Sequence, residues 1–68
     1  MRYAIVIEKA PSTYSAYVPD LPGCVATGAT VEEVKSEMTA AIQFHIAGMK
    51  EDGLDIPPPS SFVEYVAA

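Results

Sequence analysis

Tyr17-Val18-Pro19-Asp20-Leu21-Pro22-Gly23-Cys24 decides how this chain folds. Two prolines and a glycine within five residues force a rigid corner between two extended segments. Pro22-Gly23 fits the central pair of a type II turn, since proline presets φ and glycine takes the positive φ at the next position. Leu21, which precedes a proline, is pushed to an extended conformation.

Upstream, Arg2 to Glu8 is β-branched and aromatic and reads as a strand. Both of its faces are apolar, with Tyr3, Ile5 and Ile7 on one and Ala4 and Val6 on the other, so cover is expected on both sides. Lys9 to Thr13 is a turn in which Pro11 stops the ladder. Tyr14 to Val18 is a second strand, paired with the first as a hairpin. Downstream of the corner, Cys24 to Thr27 is a short third strand ended by Gly28.

Thr30-Val31-Glu32-Glu33 is a capping box opening a helix over Val31 to Asp52. Glu32 and Glu33 suit the positive end of its dipole. Val31, Val34, Met38, Ala41, Ile42, His45, Ile46 and Met49 recur at helical spacing as one apolar stripe. Gly53 is the expected left-handed residue after the helix, with Leu54 folding back on Met49. At 1.5 Å per residue the helix is about 33 Å long, enough to overhang the strands. Gly48 inside it costs about 1 kcal/mol relative to alanine and suggests close approach to the sheet or to a second helix. Leu54 to Ser60 carries three consecutive prolines and reads as a stiff polyproline strap leading to a last strand, Ser61 to Val66.

The expected fold is therefore α+β, one domain over residues 1–68, in the order β-β-β-α-β. The sheet order is 3-2-1-4, with the helix on one face. With 68 residues and one cysteine, the chain is short of core and has no internal disulfide, and one His with one Cys cannot make a structural zinc site. Oligomerisation is the remaining support. Phe44, on a second weak apolar flank of the helix, and Phe62, Val63 and Tyr65 in the last strand are the expected interface of a dimer or tetramer.

Nine acidic residues against four basic ones give a net charge of −5. That argues against direct nucleic-acid binding, which rests on Lys and Arg, and suits a basic protein partner. No apolar run approaches the roughly 20 residues of a membrane span. An unpaired cysteine and the absence of an export pattern suit the cytoplasm.

The run from Tyr14 to Val34, YSAYVPDLPGCVATGATVEEV, followed by a long amphipathic helix closing on Glu51-Asp52-Gly53, resembles the HicB-like antitoxin family. The resemblance covers the chain from Tyr3 through the proline strap. It implies a partial ribonuclease H-like fold without catalysis, and inhibition of a small basic mRNA-cleaving toxin of HicA type by direct contact. Tyr17, Pro19, Asp20, Leu21, Pro22, Gly23 and Cys24 are the expected contact residues. Many members carry a C-terminal DNA-binding domain. A chain ending at Ala68 has no room for one, so operator binding is not expected. The alternative is a homo-oligomeric scaffold or small-ligand binder of the same fold, with no toxin partner.

An enzyme is not expected. Two-metal ribonuclease H chemistry needs converging carboxylates, one of them inside the first strand, and Tyr3 to Ile7 has none. Glu8, Glu32, Glu33 and Glu37 are explained by strand end, capping and solvation. His45 reads as a boundary histidine and Cys24 as a buried thiol. Ser12, Ser15 and Thr27 have no base nearby. No cofactor or metal is expected.

Overall fold

The computed structural model describes residues 1–68. Three antiparallel strands, β1 (Val6–Lys9), β2 (Tyr14–Tyr17) and β3 (Val25–Gly28), precede one helix, α1 (Val31–Glu51). The strands lie in the order β1-β2-β3, and α1 packs across β3 and β2. The α+β class, the hairpin and the single helix match the expectation. A four-stranded sheet does not form.

Register follows from the alternation of side chains. Ile7 pairs with Ala16 and Ala16 with Ala26, placing these small and branched residues on the helix side. The neighbouring row, Val6, Tyr17 and Val25, faces away from the helix. Into the helix side α1 turns Val34 and Met38, both fully buried, with Ala41, Ile42, Ile46 and Met49 packed alongside. The apolar stripe read from sequence is therefore the core face, although Val31, at its start, is 38 % exposed.

Both helix ends are closed as their residues dictate. The Thr30 hydroxyl accepts from the Glu33 backbone N–H at 3.0 Å. At the other end Gly53 (φ +72°) lets its own N–H reach the Lys50 carbonyl and the Leu54 N–H reach the Met49 carbonyl, the paired bonds of a Schellman ending. Gly48 has no close neighbour: a Cβ there meets nothing within 4 Å. Within this chain no close approach explains the glycine, contrary to expectation. Gly48→Ala is thus expected to raise stability by about 0.5–1 kcal/mol, read as a higher midpoint in urea.

Two strand assignments need correction. The first strand begins at Val6, not Arg2, because β2 has no ladder to offer earlier residues. Val18 spends its N–H on the Cys24 carbonyl and its carbonyl on the Leu21 N–H, and Pro19 has no N–H. The expected last strand, Ser61 to Val66, is absent. These residues are exposed and unpaired, so the fourth place of the expected 3-2-1-4 order is empty. Ser60, the last residue of the strap, and Ser61 are held by a side chain at the corner, and no second layer lies beneath Phe62 (83 % exposed) or Tyr65 (91 %) to reward pairing.

Candidate partner-binding surface

The corner is two turns in series closed by a third bond. Leu21 N–H donates to the Val18 carbonyl at 3.1 Å, Cys24 N–H to the Leu21 carbonyl at 3.1 Å, and Val18 N–H to the Cys24 carbonyl at 3.2 Å. The second turn has Pro22 and Gly23 (φ +83°) at its centre, as a type II turn requires. Val18, Leu21 and Cys24 recur every third residue and all point inward, at 2 %, 0 % and 3 % exposure. Half of the six-residue buried core is thus supplied by a loop.

This divides the seven residues expected to touch a partner. Leu21 and Cys24 are core and offer no side-chain surface. Tyr17, Pro19, Pro22 and Gly23 are exposed around them. Burial pushes the Cys24 thiol pKa upward, which keeps it protonated and a poor nucleophile.

Asp20, expected among the contact residues, acts at long range instead. One of its carboxylate oxygens accepts the backbone N–H groups of Ser60 and Ser61, both at 3.0 Å, and the other accepts their hydroxyls at 3.0 and 2.9 Å. Four donors on one carboxylate favour the ionised form. They hold its pKa near 2, below the ordinary 3.8; the Ser61 and Ser60 backbone amides act most strongly, and desolvation opposes them. Together with the bond from the Tyr3 hydroxyl to the Pro57 carbonyl, this fastens the proline strap across the molecule.

Because the folded-state pKa lies below the unfolded one, the latch contributes fully above about pH 4. It is lost as pH falls toward 2. Asp20→Asn, which sets an amide donor against these donors, is expected to release the strap at neutral pH. Faster hydrogen exchange at Ser60 and Ser61, with α1 amides unchanged, is the readout.

Around the corner lie the apolar residues left uncovered. Tyr17 (43 % exposed) and Val25 (65 %) stand side by side on the open face of the sheet, and β3 is a free edge. Between β3 and α1 a shallow groove of about 240 Å³ is lined by Gly23, Cys24, Val25, Ala41, Phe44 and His45. Phe44 itself is 83 % exposed. His45 is half-buried at the groove wall, as its place on the stripe predicts. Val25 escaped the sequence reading. Its position directly after a buried Cys24 in an alternating strand was the available signal.

No three His, Cys, Asp or Glu side chains converge as metal ligands would. No helix is long and apolar enough to cross a membrane. The surface described is a hydrophobic corner and edge on an acidic domain.

Comparison with known proteins supplies the family. The chain belongs to the HicB-like antitoxin family of bacterial toxin–antitoxin systems, which it matches over residues 3–68. It is 41 % identical over 66 residues to an uncharacterized 14.9 kDa protein from the rep–hol intergenic region of Haemophilus phage HP1 (strain HP1c1). That match covers 97 % of this chain and 50 % of the phage protein, so the chain spans half the length of that relative. It is also 39 % identical over 49 residues to a UPF0150 protein of Helicobacter pylori (strain J99 / ATCC 700824), covering 72 % of this chain and 68 % of that protein. No solved structure gives a significant match.

Proposed function

We propose that this chain is a non-catalytic antitoxin domain, of partial ribonuclease H-like descent, that binds and inhibits a small basic RNA-cleaving toxin of HicA type in the cytoplasm. Membership of the antitoxin family over residues 3–68 carries the reading. The net charge of −5 supports it, because an acidic domain attracts a basic partner and speeds the encounter. The contact surface is the exposed rim of the corner, Tyr17, Pro19, Pro22 and Gly23, extended by Val25 and Phe44. Leu21, Cys24 and Asp20 hold that rim in shape from beneath and behind.

The deciding experiment mixes the purified chain with a small basic RNA-cleaving toxin of HicA type and follows RNA cleavage. Cleavage that stops at equimolar chain and returns with Tyr17→Asp supports the proposal. Undiminished cleavage, with no complex by light scattering, overturns it.

Self-association into a dimer or tetramer is part of the same reading. The exposure of Phe44, Phe62, Val63 and Tyr65 favours it, as does a core of only six buried residues. It is also what the scaffold alternative would need, and the mixing experiment separates the two.

A further inference from the structure

β3 is a free edge of the sheet, and its register fixes which of its backbone groups are unspent. In an antiparallel pair, facing residues alternate between exchanging both hydrogen bonds and exchanging none. The Val18 N–H reaches the Cys24 carbonyl, so in this register Ala16 bonds Ala26 and Tyr14 bonds Gly28. At the hairpin turn the Ala10 N–H reaches the Thr13 carbonyl, which makes Ser15 and Tyr17 the residues that bond β1, opposite Glu8 and Val6. The two alternations agree. Val25 and Thr27 are left with their N–H and C=O groups directed away from β2, and both residues are exposed.

This edge has an apolar end and an acidic end. At the Val25 end it borders the groove walled by Cys24, Ala41 and Phe44. Glu37 lies two turns before Phe44 on the same flank of α1, and Glu33 one turn earlier. Glu33 stands beside Gly28, where a Cβ would come within 3.1 Å of its carbonyl carbon. Both glutamates are exposed. The four basic residues lie elsewhere. Arg2 precedes β1, Lys9 is in β1 at the far edge, Lys35 is on the opposite side of α1, and Lys50 is in its last turn.

We propose that β3 takes up an extended strand of the basic partner, with an apolar side chain over the groove and a Lys or Arg toward Glu33 and Glu37. The added strand pairs with the N–H and C=O groups of Val25 and Thr27. Its alternate side chains fall on the groove and on the open face beside Tyr17 and Val25. The pairing rests on the antitoxin reading above and gives that contact its mode.

Charge selects this occupant. Two copies of the chain joined β3 to β3 about a two-fold axis would run antiparallel. Glu33 and Glu37 of each copy would then meet the apolar Phe44 end of the other, with no cation to offset them. A basic strand supplies that cation.

The test follows amide exchange in the unmodified chain, alone and saturated with a small basic RNA-cleaving toxin of HicA type. The Val25 and Thr27 amides are expected to exchange freely in the chain alone at every concentration, and to slow at least about tenfold in the complex. Thr27→Pro removes an outward donor and leaves the ladder to β2 intact. Against Thr27→Val, which keeps the N–H, it is expected to bind the toxin about fivefold to hundredfold more weakly. Glu37→Lys is expected to weaken binding about threefold to tenfold, with the loss shrinking in high salt. A complex in which Val25 and Thr27 still exchange freely overturns the pairing and leaves the antitoxin reading standing, as does equal binding by the Pro and Val variants. Protection of these amides that grows with concentration in the chain alone gives the edge to a second copy and also overturns it. Absence of any complex removes the pairing and the antitoxin reading together.

Discussion

Leu21→Ala is expected to unfold most of this domain. Leu21 is at 0 % exposure and is among the largest fully buried side chains, with Met38 and Val34. Truncating a buried leucine costs about 2–5 kcal/mol through lost transfer energy and the cavity left behind. Domains of this size have only about 5 kcal/mol or somewhat more in total. The site is also poorly able to collapse, since three backbone bonds and two prolines fix the loop around it. Loss of the cooperative transition in urea, watched by circular dichroism, is the expected result. A midpoint within error of the parent chain would show that the corner is not the keystone described here. Leu21→Met, which conserves volume, should cost less than about 1.5 kcal/mol and serves as the control for a specific packing effect.

Gly28→Ala is the second large effect. Gly28 closes β3 two residues before the helix cap, and a Cβ there would stand 2.7 Å from the Val34 backbone nitrogen, 3.0 Å from its Cα and 3.1 Å from the Glu33 carbonyl carbon. These are backbone atoms of the first helical turn, so no side-chain rotation relieves the overlap. The helix must lift from the strand or the strand end must bend. Overpacking of this kind costs about 1–3 kcal/mol. It should also disturb the Thr30 cap, which belongs to the same turn. The expected readouts are a lower urea midpoint and faster amide exchange at Glu33 and Val34. Gly48→Ala, a substitution of the same chemistry in open space, moves stability the other way. The pair therefore separates steric occupancy from helix propensity.

What could be read from sequence was what the chain decides locally. The Pro22-Gly23 turn, the Thr30 cap, the Gly53 ending and the stripe from Val34 to Met49 each depend on residues within a few positions of one another, and each is present. The parts that eluded the reading depend on distant partners. Asp20 suits a turn cap by its neighbours, yet its four donors lie about forty positions away. Ser61 to Val66 has strand composition, but a ladder needs a neighbour, and β1 begins too late to provide one. Leu21 is expected at a contact surface because prolines and glycine usually mark exposed loops, and Cys24, which reads as a buried thiol, cannot also offer a contact side chain. The spacing of Val18, Leu21 and Cys24 held the contrary signal. Three apolar residues, one per turn through two consecutive turns, fall on the same side.

All six core residues lie between Ala16 and Met38. Contacts that close over so short a span cost little loop entropy and form quickly. During synthesis this stretch has emerged and can consolidate before the prolines and the tail follow it. A chain that matures in this order has its corner built before the strap is latched across it.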